Sequence, residues 1–181
     1  MLYKTVEERK KEFISLSNEY CNGLISPEFY EFLNTNFFTP PASRKYHAAY
    51  EGGLYDHSLN VFKKLDMLTK SCNLKWERPE SPFIIGMFHD LCKYDQYSKP
   101  KEGSNVYEFN GATLLKGHGS KSVIILSRFI NLTEEEMLCI RYHMGAYEKE
   151  EWDEFDMAIK KYPNVLWTHM ADMLACKVDG L

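Results

Sequence analysis

The sequence predicts an all-α fold, a bundle of helices with one irregular insertion at about residues 95–117. Two observations support this prediction. Apolar side chains recur at spacings of three and four residues along most of the chain, as they do on the buried face of a helix. Helix-start signals also precede two of these segments, Ser26-Pro27 and Ser81-Pro82, each a capping serine followed by a proline.

The first forty residues are expected to form a helical appendage, residues 1–40, that precedes the main domain at residues 41–181. Residues 4–21 are rich in helix formers and carry a stripe of apolar side chains at helical spacing, namely Val6, Phe13, Leu16 and Tyr20. A second helix begins at Pro27 and is expected to end near Asn34, because prolines soon afterwards break regular structure.

The main domain is expected to contain six further helices, at about 54–72, 82–92, 118–130, 133–144, 151–161 and 164–178. Thr133 followed by Glu136 predicts a capping box at the start of one of them. Within the insertion, Val106 to Phe109 followed by Asn110-Gly111 predicts one arm of a short hairpin. Because structureless loops of this length are uncommon in compact domains unless they serve a function, the insertion is expected to be functional.

Composition favours an ordinary globular domain and argues against binding of long nucleic acid. Of 181 residues, 44% are hydrophobic and 27% are charged, which provides enough apolar side chains for a core. Lys and Arg total 22 against 26 Asp and Glu, so the formal net charge is −4. A protein that binds a long polyanion through bulk charge is expected to be basic, so a small partner is favoured.

The cysteines and the chain's first residues predict a cytoplasmic protein without a membrane partner. The five cysteines are scattered and include no Cys-x-x-Cys pair, which disfavours a disulfide framework or a thiolate zinc site and favours a reducing compartment. Charged residues begin at Lys4 and no apolar segment follows, so no signal peptide is expected. No apolar run approaches the roughly 18 residues needed to span a bilayer.

Candidate metal ligands lie on three of the predicted helices. His57 lies on the apolar stripe of one helix, His89-Asp90 ends a very apolar helix, and Asp172 lies among apolar neighbours on the last one. A buried carboxylate is costly unless it is paired or bound to a metal, and helix bundles hold metals with inward-pointing imidazoles and carboxylates. Such a ligand set suits Mn, Fe, Co, Ni or Zn and tolerates Mg.

The order His, then His-Asp, then Asp on separate helices resembles the HD-domain superfamily of metal-dependent phosphohydrolases. The resemblance covers about residues 42–178. The segments that carry it are His47-Ala-Ala-Tyr-Glu-Gly-Gly-Leu-Tyr-Asp-His57-Ser-Leu, Phe-His89-Asp90-Leu-Cys-Lys93 and His-Met-Ala-Asp172-Met-Leu-Ala. The first of these is most similar to the HD domain of bacterial 3′–5′ exoribonucleases of the YhaM type.

The resemblance implies a centre of one or two divalent metal ions. The ligands that recur across the family fall on His57, His89, Asp90 and Asp172. In members with two metals, two more histidines complete a second site and the Asp of the doublet bridges both ions; His118 and His143 occupy that order. The alternative is one ion, with these two histidines contacting the substrate phosphate. His169, one turn before the last Asp, is expected to pack or to support a ligand.

The expected chemistry is attack of a metal-activated water on a phosphoryl group, with Asp90 and Lys93 as the catalytic residues. Lys93 follows Asp90 by three residues and is therefore expected to share its face and to contact phosphate. Lys121, His47 and Tyr147 complete the predicted substrate-binding set.

The expected substrate is a phosphoester or phosphoanhydride of a nucleotide or short oligonucleotide. Exoribonucleases of the YhaM type carry a separate nucleic-acid-binding domain, for which forty residues leave no room, so a small substrate is favoured over a polymer. Three alternatives remain open. They are a di-iron oxygenase of the HD type, whose six ligands are also present, a 3′–5′ exonuclease on short nucleic acid, and a non-catalytic binding module.

Overall fold

The computed structural model describes residues 3–21, 23–115, 117–146 and 151–180. Over these residues the protein is predominantly helical, with eight α-helices and one two-stranded sheet, so the predicted all-α class is confirmed. The helices are α1 (Val6–Tyr20), α2 (Pro27–Asn36), α3 (Gly53–Cys72), α4 (Ser81–Phe88), α5 (Gly119–Leu126), α6 (Glu134–Arg141), α7 (Glu151–Lys161) and α8 (Asn164–Met173). None of the described helices combines the length and the apolar character needed to cross a membrane.

Short-range capping contacts define where several helices begin. At α1 the Thr5 hydroxyl accepts a hydrogen bond from the Glu8 backbone N–H, and the Glu8 carboxylate accepts one from the Thr5 N–H. The same reciprocal pair joins Thr133 and Glu136 at α6, as the sequence predicts. Ser26 caps α2 with its hydroxyl, and a proline follows it at the first helical position.

The predicted helix over residues 82–92 is two elements in the structure. Helix α4 ends at Phe88, and a short 3-10 helix, Leu91–Asp95, follows after a break that contains His89 and Asp90. The backbone N–H of Cys92 donates to the Ser122 hydroxyl of α5 at 2.9 Å. In a continuous α-helix the Cys92 N–H would donate to a backbone carbonyl of the same helix, whereas here it donates to a side chain of α5. The break places Asp90 at a turn.

The insertion folds back onto the segment that follows the His-Asp doublet. Strand β1 (Tyr97–Ser98) pairs antiparallel with β2 (Glu108–Phe109), so the predicted hairpin arm pairs with a strand that precedes it in the chain. The Asn110 backbone N–H donates to the Gln96 carbonyl at 2.9 Å, and the Asn110 side chain donates to the Asp95 carbonyl at 2.9 Å.

A single hydrophobic core joins α1 and α2 to the remaining helices. Phe13 of α1 is fully buried, and its ring centroid lies between 5.8 and 6.4 Å from the rings of Phe37, Phe38, Phe83 and Phe88. Arg9 of α1 is also buried and forms a bidentate ion pair with Asp56 of α3, at 3.0 and 2.7 Å. Helix α1 therefore packs on the main domain through shared core and charge contacts. The division into an appendage and a domain at residue 41 stays a prediction.

Helices α3 and α4 approach so closely that one position between them must be glycine. A Cβ atom added to Gly86 would lie 2.4 Å from the Phe62 Cα and 2.8 Å from its backbone nitrogen. Backbone atoms cannot move aside as a flexible side chain can. This close approach brings His57 on α3 next to His89, which directly follows α4.

Replacing Phe13 with Ala should lower the free energy of unfolding by about 3–5 kcal/mol, because it opens a cavity among packed aromatic rings. The neighbouring substitution Ile14→Ala is the control, since Ile14 is 42% exposed, and should cost far less. Urea unfolding of both variants measures the difference. Equal small losses would show that α1 adds little to the core.

Gly86→Ala should destabilise the protein by about 1–3 kcal/mol through overpacking of α3 against α4. Gly111→Ala is the matched control, because a Cβ at Gly111 meets no atom of the described residues within 4 Å. Thermal and urea unfolding provide the comparison. If both variants unfold like the wild type, the close approach of the two helices is not a constraint on stability.

Candidate metal centre

Five separate segments bring the sequence-predicted ligands into one buried cluster. His57 lies on α3, His89 and Asp90 in the break after α4, and Asp172 on α8. The remaining two, His118 and His143, lie just before α5 and just after α6. Five of the six residues are buried, namely His57, His89, Asp90, His143 and Asp172. The side chain of His118 is 29% exposed.

The first group of ligand atoms surrounds His57. Its Nε2 atom lies 3.2 Å from His89 Nε2, 3.5 Å from Asp90 Oδ2 and 3.2 Å from Asp172 Oδ1. His89 Nε2 lies 3.6 Å from Asp90 Oδ2 and 3.8 Å from Asp172 Oδ1. Ligands held about 2.1 Å from a tetrahedral ion are roughly 3.4 Å apart. The spacing of His57, His89 and Asp90 therefore fits a common metal ion, with Asp172 Oδ1 next to both imidazoles.

The second group of ligand atoms meets the other oxygen of Asp90. Asp90 Oδ1 lies 2.8 Å from His118 Nε2 and 3.4 Å from His143 Nε2. Within the described residues, these three atoms are buried and make no hydrogen bond of acceptable geometry. Buried polar atoms almost always have a partner, so three orphaned ligand atoms around one point fit a cation there. Asp90 thus presents one oxygen to each group.

Backbone carbonyls orient two of the imidazole rings. His89 Nδ1 donates to the Gly86 carbonyl at 2.9 Å, and His143 Nδ1 donates to the Ile140 carbonyl at 2.7 Å. A carbonyl only accepts, so in each neutral ring Nδ1 carries the proton and Nε2 faces the cluster with a free lone pair. That is the form of histidine that binds a metal.

The protonation of the cluster also suits a cation. Burial lowers the pKa of His89 to about 3, so this imidazole is neutral at physiological pH. Burial opposes the charge of Asp90, but Lys93, His118 and His89 together outweigh it and hold the pKa of Asp90 well below its ordinary value. The pKa of Asp172 is likewise held low, despite its burial, by the hydrogen bond from His57. Burial opposes a charge on His143, yet the neighbouring carboxylates of Asp90 and Asp172 raise its pKa, so a metal competes with a proton at this ring. The ionised carboxylates and the neutral His89 are ready to bind metal.

A cavity of about 400 Å³ opens directly onto the cluster. Its wall contains Asp90, Asp172 and His118 together with the predicted substrate-binding residues Lys93 and His47. Burial lowers the pKa of His47 to about 4, and its buried Nε2 atom has no hydrogen-bond partner among the described residues. This volume is in the range of small-molecule sites.

The other predicted substrate-binding residues lie differently. The Lys121 ammonium pairs with Asp95 and lies 5.5 Å from the centre of the Tyr94 ring, away from the described residues that line this cavity. Tyr147 lies outside the described residues. His169 contacts the backbone of a cluster residue, because its Nδ1 atom donates to the His143 carbonyl at 2.8 Å. That contact fits the supporting role expected for His169.

The structure adds residues at the cavity to the predicted metal-binding and substrate-binding set. Cys176 lines the cavity, and its Sγ atom lies 3.5 Å from Asp172 Oδ1. With His47 and His57 it forms another group whose ligand atoms lie within 4.8 Å of one another. Its position four residues after Asp172 places it on the same helical face, a signal present in the sequence. Tyr46, Tyr97 and Lys177 also line the cavity.

Comparisons with protein-family models, curated proteins and solved structures found no match to this chain. Fold and site together define the class, a helical protein with a buried histidine–aspartate cluster able to hold a metal ion.

Asp90→Asn should weaken binding of Mn²⁺ by more than about 100-fold, because it removes the charge that both ligand groups share. Asp66→Asn is the control, since it makes the same chemical change at an ion pair with Lys70 on α3, away from the cluster, and should bind Mn²⁺ like the wild type. Isothermal titration calorimetry on metal-free protein measures both affinities. Unchanged binding by Asp90→Asn would place the metal elsewhere.

The metal-free protein should lose stability as the pH falls below about 6.5. In the unfolded chain a histidine takes a proton near pH 6.5, whereas His89 in the folded protein does so only near pH 3. Between these values the unfolded state binds more protons, so stability falls by up to about 1.4 kcal/mol per pH unit for this residue. Urea unfolding in EDTA from pH 7.5 to 4.5 measures the slope. His89→Gln should flatten it and His169→Gln should not; equal slopes for both would contradict the assignment.

Proposed function

We propose that the protein is a metal-dependent phosphohydrolase of the HD-domain type that acts on a nucleotide or short oligonucleotide. One observation carries the proposal: the two oxygens of Asp90 face two sets of imidazole nitrogens at the wall of a cavity that also contains Lys93. The order of these residues in the chain, with their flanking segments, is the order that resembles the HD superfamily.

The two ligand groups accommodate one or two ions. When bound, a divalent metal supplies a water activated near neutral pH and offsets negative charge on a phosphoryl group. The protein's own part is to keep the ligand atoms in place. Asp90 and Asp172 supply the negative charge that attracts the cation, and the carbonyls of Gly86 and Ile140 hold His89 and His143 in orientation.

The wall of the cavity supports a small phosphorylated substrate. Lys93 provides a positive charge at the wall, where a low dielectric strengthens its attraction for phosphate. The rings of Tyr46 and Tyr97 offer flat surfaces on which a nucleobase stacks. A cavity of about 400 Å³ and a net charge of −4 favour a nucleotide-sized ligand over a long polymer. Five unpaired cysteines support a reducing, cytoplasmic setting for this activity.

Metal-free protein supplied with Mn²⁺, Mg²⁺, Co²⁺ or Zn²⁺ should hydrolyse at least one member of a panel of nucleotides and short oligonucleotides. Chromatography and a phosphate assay measure released phosphate, pyrophosphate or nucleoside. His57→Ala should abolish turnover, because it removes the residue closest to all members of the first ligand group, while Asp66→Asn on the exposed face of α3 should leave turnover unchanged.

The outcome that contradicts the proposal is metal binding without turnover of any nucleotide or phosphodiester. Iron retained after aerobic purification, together with consumption of O₂, would replace hydrolysis by the oxygenase alternative. Iron content and O₂ consumption are measured on the wild-type protein as purified, before the metal is removed for the turnover assay.

A further inference from the structure

Lys93 is paired with the Asp90 oxygen that a metal ion at the first ligand group would also bind. Its ammonium lies 2.6 Å from Asp90 Oδ2, and both side chains are almost fully buried. The same oxygen lies 3.5 Å from His57 Nε2 and 3.6 Å from His89 Nε2. The carboxylate oxygen that faces the first ligand group therefore already has a counter-ion, supplied by the chain itself.

We propose that Lys93 exchanges partners when the metal binds. In the metal-free protein its ammonium neutralises Asp90; once a divalent cation takes Asp90 Oδ2, the ammonium turns into the cavity and binds the phosphate of the substrate. This inference rests on the proposed function, since it requires a metal at the centre, and it adds the order of binding: metal first, phosphate second.

Repulsion between the two cations drives the exchange. A metal ion about 2.1 Å from Asp90 Oδ2 would lie no more than about 4.7 Å from the ammonium of Lys93 in its present position. Two positive charges at that distance in a buried, weakly polarisable site repel each other strongly. The flexible four-carbon stem of lysine lets the ammonium move without displacement of the backbone.

The acidic residues near Lys93 offer no other partner for its ammonium once a metal has displaced it from Asp90. Lys93 lines the cavity, and the acidic residues among the described lining residues are Asp90 and Asp172, both ligands in the proposed centre. Asp95, the nearest acidic residue along the chain, is already paired with Lys121. An anion in the cavity is therefore the partner that remains.

The same charges oppose binding of phosphate before the metal arrives. In the metal-free cavity the buried carboxylates of Asp90 and Asp172 face one buried ammonium, that of Lys93, and it is already engaged by Asp90. The other lysine of the wall, Lys177, is exposed to solvent. A divalent cation adds positive charge inside the cavity and frees the ammonium of Lys93 in one step. Phosphate should therefore bind to the metal-loaded protein and not to the metal-free protein.

The test measures the affinity for Mn²⁺ and the affinity for phosphate. The proposed exchange predicts that replacing Lys93 changes them in opposite directions. Mn²⁺ is titrated into metal-free protein, and inorganic phosphate is then titrated into the Mn²⁺-loaded protein. Lys93→Met should bind Mn²⁺ at least about ten-fold more tightly, because the competing charge is gone, and phosphate at least about ten-fold more weakly. Lys121→Met is the matched control, a buried lysine paired with an aspartate outside the cavity, and should leave both affinities near the wild type.

If Lys93 has a different role, the affinities for Mn²⁺ and phosphate change in other directions. If Lys93 only stabilises the site, both affinities fall in Lys93→Met; if it only contacts phosphate, the affinity for Mn²⁺ stays unchanged. Either result overturns the inference, as does binding of phosphate to the metal-free wild type. Lys93→Gln, which keeps a donor beside Asp90 without the charge, serves if Lys93→Met does not fold, and the same pair of changes is expected.

Failure of the inference can be told apart from failure of the proposed function. A wild-type protein that binds no Mn²⁺ refutes the metal centre itself. A wild type that binds Mn²⁺ and hydrolyses nucleotides, beside a Lys93→Met variant with unchanged or weaker Mn²⁺ binding, refutes the exchange alone.

Discussion

The charge of Asp90 is the constraint around which the centre is organised. The residue is 2% exposed, and a carboxylate at such a depth is tolerated only with compensating partners. Lys93 neutralises one oxygen, and imidazole nitrogens face both. In a folded chain without metal this compensation is incomplete, because Asp90 Oδ1 has no hydrogen bond among the described residues. A buried carboxylate oxygen without a hydrogen bond distinguishes the cluster from a packed core and fits a site able to hold a cation.

The scaffold around Asp90 is joined by contacts between segments that are far apart in sequence. The Ser122 hydroxyl of α5 accepts a hydrogen bond from the Cys92 N–H, at the break between α4 and the 3-10 helix that contains Asp90. Gly86 permits the approach of α4 to α3. The ion pair between Arg9 and Asp56 ties α1 to the turn of α3 that carries the first histidine of the cluster. Stability and site geometry therefore depend on the same close contacts.

Helix existence and type could be predicted because the pattern of apolar residues and caps is local. The capping box at Thr133 and the proline start at Pro27 are each contained in four residues. Helix ends and strand pairing could not be predicted in the same way. The partner of the hairpin arm at Glu108–Phe109 lies across an intervening loop, and the Cys92 N–H after the end of α4 donates to a hydroxyl thirty residues away. The ligand types followed from motif order, whereas their mutual distances did not.

The sequence by itself determined the helical class, the identity of the candidate ligands and their order along the chain. The apolar periodicity of helices and the order of a motif depend only on residues that are close in sequence. Tertiary structure alone decided which groups meet. It paired Lys121 with Asp95 instead of the cavity, brought His57 of α3 to 3.2 Å from His89, and set His118 and His143 against the other oxygen of Asp90. The physical reason is that the strength of an interaction between charged side chains depends on their distance and burial, and both are set only when separate helices pack together.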